Sequence, residues 1–569
     1  MKRKRLCPLL WLMAFLIALT ACSEDTFEVS SNVDGVTKAI SSQVCYTDAL
    51  YHHMTESWIV PRNDPYTLTN FQSAISNLLS GKAGVVLSKE ERHELSELNP
   101  IQPSHLALRV FPKTEKEQWA IELMEDVKVA YIPFNYVPLS EDQVKLGKLN
   151  DKSKSFDEEY RYTVTYSDLV ADDEKQPDET ITMPVLYVVW PKDKIIPQEY
   201  DYLIDYEVFI PDYTKDAGRA LHKLEDEAIR LAIGEGAKKD SSRSETQMYT
   251  GTIKYYDNLL ESDAPLSHLK VRFQLGSNIA DTYTDSSGSF SVPSIIDDSA
   301  TWYLVMQHTY WKITSMDSSD PVSVYMGTVG SEWSNSNDIY CGMYSSVGYF
   351  AVHPAVDFYY NGNHQLQTAS YDSGIRIKVS PESNPDHNAT FTHNLFSAAY
   401  ITVYQNNMNS SNYLIGTVLH ELGHFTHFRA RSTHLNYKNT HKLIKESYAS
   451  YVANYLCDRY YYLLGYDNPV APQTPHTGNS YQFWEKTGTS KYSPMFVDLF
   501  DNYNQNLNNS NYNYDSINGF SHNVMRTIAE NCASWSNVKS ILDDYIGIYY
   551  TQSAYNLYVA PYDYWFDNN

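Results

Sequence analysis

The chain has 569 residues, 43% of them hydrophobic, and carries a formal net charge of -25. That length is enough for two or three domains with separate cores. So acidic a surface repels polyanions, and we therefore expect no nucleic-acid partner. After residue 22 no segment is long and apolar enough to suggest a transmembrane helix.

Residues 1–21 have the pattern of a secretory signal peptide. Basic residues at positions 2–5 precede an apolar run from Leu9 to Leu19, which is too short to span a bilayer comfortably. Leu19-Thr20-Ala21-Cys22 resembles a bacterial lipobox, and Ser23-Glu24-Asp25 resembles the export signal of surface lipoproteins in the Bacteroides group. The resemblance implies acylation of Cys22 and a lipid anchor in the outer membrane, with the protein facing the exterior. An ordinary signal peptide cut nearby is the alternative.

Residues 22–45 are polar and poor in aromatic residues, which predicts a flexible tether. Residues 46–240 are predicted to form a mixed α/β region. Segments 106–111 and 183–190 alternate as strands do, and 220–231 has apolar residues at helical spacing. The region shows no catalytic motif and resembles the amino-terminal part of surface lipoproteins of the Bacteroides group.

A serine-rich, charged stretch at 238–245 marks a domain boundary. Residues 247–312 then contain short alternating segments separated by turn residues, which predicts a small β-sandwich. The pattern T-D-x-x-G-x-F at Thr284, Asp285, Gly288 and Phe290 resembles that of carboxypeptidase regulatory-like domains. The resemblance implies a structural module, so we assign it no chemistry.

Cysteine and tyrosine content leaves two questions open. Beyond residue 22 the cysteines are Cys45, Cys341, Cys457 and Cys532, which allow three complete disulfide pairings or can stay as buried thiols. The 49 tyrosines suit either carbohydrate-stacking surfaces or core filling, and no periodic cluster favours a stacking surface.

Residues 313–569 contain the motif on which a chemical prediction rests. Apolar positions within 413–428 predict a buried helix. His420 and His424 are four residues apart, so both imidazoles share one helix face and can bind one Zn²⁺. Glu421 lies one step round the helix, where it can act as general base without being a ligand.

A catalytic zinc needs a third protein ligand. The metzincin pattern HExxHxxGxxH fails, because it needs glycine at 427 and histidine at 430, where this chain has His427 and Ala430. His427 lies about 10 Å along the helix axis from His420, which favours a rim or packing role. A second apolar-striped helix, 442–456, offers Glu446, 22 residues after His424.

The spacing from the HExxH helix to Glu446 resembles that of the gluzincins, the thermolysin-like zinc peptidases. The resemblance implies an α+β zincin-like catalytic domain that binds zinc through His420, His424 and Glu446. Where that family often has an aspartate that supports the first histidine, this chain has Ser450. Such partners matter about 10–100-fold for metal affinity or activity.

The resemblance continues upstream. Residues 350–360 resemble the helix before the substrate sheet, with Pro354 expected to start its first turn later. Residues 375–379 alternate as a strand. Asn388 and Ala389 begin a segment that resembles the edge strand that binds the substrate peptide by main-chain pairing; the alternative is that Asn388 only makes a turn.

A histidine or tyrosine from a later subdomain would stabilise the oxyanion in such an enzyme, and His522 is our choice, with His476 and several tyrosines as alternatives. The sequence thus predicts zinc-dependent hydrolysis of peptide bonds in extracellular proteins or peptides. The competing hypothesis is a catalytically inactive surface lipoprotein that binds host protein or glycan.

Overall fold

The chain is a multidomain protein of mixed α/β structure, with six sheets and twelve helices in its described residues. The computed structural model describes residues 59–138, 161–165, 180–213, 219–234, 248–293, 300–316, 319–329, 337–341, 348–362, 364, 366, 374–380, 384, 388–393, 399–404, 411–431, 434–466, 494–501 and 517–568. The signal peptide, Cys22, the tether, Cys45 and His476 lie outside this part of the chain. The coarse fold class is therefore confirmed, while the zincin-like assignment stays a prediction.

The amino-terminal region combines sheets and helices, as predicted. A four-stranded sheet has the order β3-β7-β2-β8, β1 pairs with β4, and β5 pairs with β6. The strands are β1 Ile59–Pro61, β2 His105–Val110, β3 Lys128–Ala130, β4 Tyr136–Pro138, β5 Arg161–Thr165, β6 Thr180–Pro184, β7 Leu186–Pro191 and β8 Tyr202–Val208. The helices are α1 Leu68–Ser80, α2 Lys89–Glu97, α3 Glu115–Glu122 and α4 Arg219–Ile233.

Two four-stranded sheets follow in the region for which a sandwich was predicted. One has the order β10-β9-β13, with β18 also paired to β9, and the other has the order β12-β11-β14-β17. The strands are β9 Met248–Asp257, β10 Ser262–Pro265, β11 Lys270–Leu275, β12 Asn278–Tyr283, β13 Ser289–Pro293, β14 Thr301–Val305, β17 Ser323–Thr328 and β18 Asn337–Cys341. Two of these strands lie after residue 312, so strand pairing does not follow that boundary.

The T-D-x-x-G-x-F segment forms the turn that leads into β13. Asp285 Oδ1 accepts hydrogen bonds from the backbone N–H groups of Ser287 and Ser289, at 2.8 and 3.0 Å. Gly288 has φ 77°, and a Cβ there would lie 2.4 Å from the carbonyl oxygen of Ile253. Only glycine fits this position without strain.

A five-stranded sheet of order β15-β16-β19-β21-β20 carries the candidate site. Its strands are β15 Gln307–His308, β16 Trp311–Ser315, β19 Ile375–Val379, β20 Ala389–Thr392 and β21 Tyr400–Val403. β16, β19 and β21 are parallel, whereas β20 runs antiparallel to β21 and forms one edge. The predicted strand at 375–379 and the predicted edge strand at 389 are both present.

The remaining helices pack against this sheet and one another. They are α5 Tyr349–Asn361, α6 Ser411–Ala430, α7 His434–Lys438, α8 Lys442–Leu463, α9 Met495–Phe500, α10 His522–Asn531, α11 Trp535–Asp543 and α12 Gln552–Asn568. The expectation that Pro354 delays the start of α5 is wrong, because the helix begins at Tyr349 and includes Pro354. Residues 349–360 are all buried, and this packing outweighs the missing hydrogen bond.

Helix α3 of the amino-terminal region docks on the five-stranded sheet through buried polar contacts. Glu115 pairs with Arg376 of β19, and Glu122 lies 3.5 Å from the Lys312 ammonium of β16. Trp119 Nε1 donates to the carbonyl oxygen of Thr309 at 3.2 Å. The amino-terminal region thus shares a buried contact surface with the sheet that bears the site.

No helix in the described residues is long and apolar enough to cross a membrane. Cys341, Cys457 and Cys532 are buried thiols, and no disulfide joins them to one another. In the part of the chain that the structure describes, many tyrosines are buried, as the core-filling alternative predicts. The largest fully buried side chains include Tyr66, Tyr255, Tyr359, Tyr448, Tyr451, Tyr461, Tyr558 and Tyr562.

Candidate metal centre

Helix α6 carries the HExxH motif in its buried half. His420 and His424 are each 5% exposed and Glu421 is 1% exposed. The imidazole rings of His420 and His424 have centroids 4.8 Å apart and planes at 87°. They lie close together because residues four apart on a helix share one face. The predicted buried helix and the shared face of the two histidines are confirmed.

Helices α6 and α8 approach closely beside this motif. A Cβ at Gly423 would lie 2.7 Å from Cα of Ala449 and 3.1 Å from Cβ of Val452. Real Cβ atoms do not come so near to a backbone atom, so a larger residue at 423 would separate the helices. Glycine inside the motif therefore allows α8 to bring its own side chains to the histidines.

Glu446, in the first turns of α8, faces both histidines. Its Oε2 atom lies 3.3 Å from His420 Nε2 and 3.2 Å from His424 Nε2. One ligand atom from each of the three residues lies within 4.8 Å of the others, and all three residues are buried. The group could hold a metal ion, as the sequence predicted.

The charge state of Glu446 fits a ligand. Burial acts to raise the pKa of its carboxyl group, but the charges and hydrogen bonds of His424 and His420 hold that pKa well below its usual value. The carboxyl group is therefore ionised at neutral pH, and an ionised carboxylate is the form that binds a cation.

Glu421 has the opposite tendency. Burial raises the pKa of its carboxyl group to about 7; His420 acts to lower it, the charge of Glu446 raises it further, and the backbone N–H of Phe391 lowers it. Its Oε1 atom is buried and has no hydrogen-bond partner in the described residues. A carboxyl group with a pKa near neutrality can both accept and return a proton.

Strand β20 lies along the centre with one edge open. The N–H of Tyr404 donates to the carbonyl oxygen of Asn388 at 2.9 Å, so the backbone of Asn388 faces β21. Backbone direction alternates along an antiparallel strand, which turns the N–H and C=O groups of Ala389 and Phe391 away from β21; the N–H of Phe391 donates to the carboxyl group of Glu421. β20 pairs with β21 from Ala389 to Thr392, so an edge strand is present here, and Asn388 lies at a bend just before it.

Asn388 is buried at the beginning of this strand, and its side chain is engaged with helix α6. Its Nδ2 atom donates to the hydroxyl of Tyr413 at 2.6 Å. The contact anchors the strand to the helix that bears the histidines. A role for Asn388 or Ala389 in binding substrate stays a prediction.

Ser450 occupies the position where the resembled family often has an aspartate that supports the first histidine, and it makes no such contact within the part of the chain that the structure describes. Ser450 is buried, and its Oγ atom makes no hydrogen bond in the described residues. His427 is fully buried, and burial lowers the pKa of its imidazole to about 3. Its ring packs against Tyr437 and Tyr448, so it is a packing residue and not a rim residue.

His522 lies at the first position of α10. Its Nδ1 atom is hydrogen-bonded to the hydroxyl of Tyr451. Its ring packs against Phe500 and Tyr455, with centroids 4.9 and 4.4 Å away. The hydrogen bonds and ring contacts of His522 within the described residues do not include His420, His424 or Glu446, and its catalytic role stays a prediction.

Tyr437 is a neighbour of the centre that the sequence did not reveal. It lies in the five-residue helix α7, and its hydroxyl is 3.1 Å from His424 Nδ1. Nδ1 is the ring nitrogen on the side away from Glu446. No periodicity or motif relates position 437 to position 424, so only the folded chain shows the contact.

Comparison of the chain with protein-family models, with curated proteins and with solved structures gives no match. Function must therefore be inferred from the centre itself.

Proposed function

We propose that the chain is a zinc-dependent peptidase whose metal is held by His420, His424 and Glu446 and whose general base is Glu421. The observation that carries the proposal is the convergence of two imidazole nitrogens and one carboxylate oxygen in a buried group, with Glu421 beside it. Three protein ligands leave one position of a tetrahedral ion for water or substrate, as in catalytic zinc sites.

The donor set and its dimensions suit zinc. Zinc binds imidazole nitrogen and carboxylate oxygen at about 2.0–2.2 Å in tetrahedral geometry, which separates neighbouring ligand atoms by about 3.3–3.5 Å. The distances from Glu446 Oε2 to the two histidine Nε2 atoms, 3.3 and 3.2 Å, are close to that separation. A purely structural zinc site would more often be rich in cysteine.

The side chains have distinct tasks in the proposed hydrolysis. Zinc supplies Lewis acidity that makes water a better nucleophile and polarises the scissile carbonyl. Glu421 accepts the proton of the attacking water as the carbon–oxygen bond forms. It then delivers that proton to the leaving amine as the carbon–nitrogen bond breaks. The backbone groups of Ala389 and the carbonyl of Phe391, which face away from β21, can pair with an extended peptide.

Cleavage-site profiling on a peptide library, with zinc added or with chelator, tests the proposal. We expect cleavage that zinc supports and chelator abolishes, together with about one zinc per chain by metal analysis. A chain that binds zinc in that ratio but cleaves nothing would support the competing hypothesis of a surface binding protein. Absence of bound zinc would overturn the metal assignment itself.

A further inference from the structure

We propose that Tyr437 is a positioning residue that fixes His424 as a metal ligand, an inference that rests on the proposed zinc function. Its hydroxyl lies 3.1 Å from His424 Nδ1, while Nε2 of the same ring faces Glu446 at 3.2 Å. The two nitrogens are thus engaged on opposite sides of the ring.

Metal binding at Nε2 would select one tautomer of His424, and the Tyr437 hydroxyl can accept a hydrogen bond from it. A neutral imidazole carries one proton, and a nitrogen that binds metal cannot carry it. With Nε2 directed to the ligand group, the proton belongs on Nδ1, where it is donated to the Tyr437 oxygen. A partner of this kind fixes the ring orientation and increases the basicity of the ligating nitrogen.

The phenol ring is itself held firmly. The Tyr437 ring packs nearly edge to face against four other rings, with interplanar angles of 87° to 90°. These rings belong to Phe391, His393, Phe428 and His427. Tyr437 is only 3% exposed. Rings packed on several sides leave the hydroxyl little freedom to leave His424.

The contrast with Ser450 gives this contact its weight. The side chain at 450, where a support for the first histidine was expected, makes no hydrogen bond in the described residues. The support that the structure does show belongs to the second histidine and comes from a phenol of helix α7. We therefore expect metal retention to depend on Tyr437 more than on Ser450.

Zinc affinity of the full chain, measured by competition with a chromogenic chelator, tests this role. Tyr437→Phe keeps the packed ring and removes only the hydroxyl. We expect an affinity loss of about 10–100-fold and a shifted absorption spectrum of the cobalt-substituted protein. The melting temperature of the metal-free protein should fall no more than in the control variant.

Tyr359→Phe is the matched control. The hydroxyl of Tyr359 bonds Thr426 Oγ1 at 2.7 Å, so this variant also removes a buried phenol contact to α6 but none to a ligand. Its zinc affinity and cobalt spectrum should match those of the unmodified chain. Equal affinity in the two variants would overturn the inference.

A second substitution keeps the test open if Tyr437→Phe does not fold. A ring-fluorinated tyrosine at 437 retains the hydroxyl and weakens it as an acceptor, so we expect a smaller loss of zinc affinity in the same direction. An unchanged affinity would count against the role. If the unmodified chain binds zinc and cleaves peptides while neither substitution alters affinity, the positioning role fails and the proposed function stands; a chain that binds no zinc overturns both.

Discussion

Among the described residues, two buried clusters that combine histidine and carboxylate can be compared, and they differ in how their atoms are placed. In the first, His420 and His424 of α6 meet Glu446 of α8, and the ligand atoms converge. In the second, His353 and Asp357 occupy one face of α5, four residues apart. The spacing along the helix is the same in both.

The second cluster is arranged around its carboxylate. Asp357 accepts hydrogen bonds from Ser267 Oγ at 3.1 Å and Asn361 Nδ2 at 2.8 Å, and it pairs with His268 at 3.0 Å. His353 points elsewhere: its ring packs edge-on against Trp311, and neither of its nitrogens has a hydrogen-bond partner in the described residues. Burial lowers the pKa of His353 to about 4.

The difference shows what a helical spacing of four needs before the residues could hold a metal ion. Donors on one helix face are not sufficient, because the carboxylate of α5 is satisfied by neutral and histidine donors from its surroundings. A second helix must bring an ionised ligand that no other group has engaged. Glu446 of α8 is such a ligand beside the histidines of α6, and the described residues contain no further group of this kind.

The largest expected effect is on the proposed base. Glu421→Gln should lower the rate of peptide cleavage by about 10²–10⁴-fold, because only the proton acceptor is lost. Zinc per chain should stay unchanged. Asp357→Asn, assayed below its melting temperature, is the matched carboxylate control and should retain the rate; full activity of the Glu421 variant would refute the mechanism.

Removal of the third ligand comes next. Glu446→Ala should weaken zinc binding by more than about 100-fold, beyond the range usual for outer-shell partners. Asp357→Ala should leave zinc content unchanged, because its carboxylate lies outside the ligand group. Metal analysis after dialysis against a weak chelator measures both. Equal zinc in the two variants would mean that another residue completes the centre.

The free energy of unfolding should depend on the carboxylate of the second cluster, although peptide cleavage and zinc binding should not. Asp357→Asn should reduce the free energy of unfolding by about 3 kcal/mol, because it replaces a buried carboxylate that three side chains contact. Chemical denaturation of the metal-free protein measures this change. A loss below about 0.5 kcal/mol would show that the cluster contributes little to the fold.

The smallest expected effect concerns pH. His353 is neutral in the folded chain until about pH 4, whereas an unfolded histidine binds a proton below about pH 6.5. Acidification through that window therefore favours the unfolded state. Between pH 7 and pH 5, the free energy of unfolding of the His353→Phe variant should therefore fall by about 2 kcal/mol less than that of the unmodified chain. An unchanged pH dependence of the unfolding free energy in the His353→Phe variant would contradict this account.

The sequence predicted those parts of the centre that depend on local periodicity. His420 and His424 follow the helical repeat of α6, and Glu446 lies on a second helix with its own apolar stripe. The alternation at 375–379 and the start of the edge strand at Ala389 were likewise local signals. These predictions hold because most apolar positions of each element are buried.

Other features depend on contacts between distant parts of the chain. Tyr437 reaches His424 through a short helix with no pattern of its own. Strand β17 pairs with β14, and β18 pairs in parallel with β9, which lies about eighty residues earlier in the chain. Pro354 stays inside α5 because the helix is buried on all sides. Local patterns do not encode strand partners or packing strength, so these features required the folded structure.

The close approach at Gly423 also bears on which ions fit the centre. Helices α6 and α8 meet there with backbone almost in contact, and the ligand atoms of His424 and Glu446 belong to the same two helices. The width of the ligand triangle is thus set by a packed interior that compresses and expands little. Under the proposed zinc function, a cation with a larger radius than zinc would have to spread the two helices to reach its longer bond lengths.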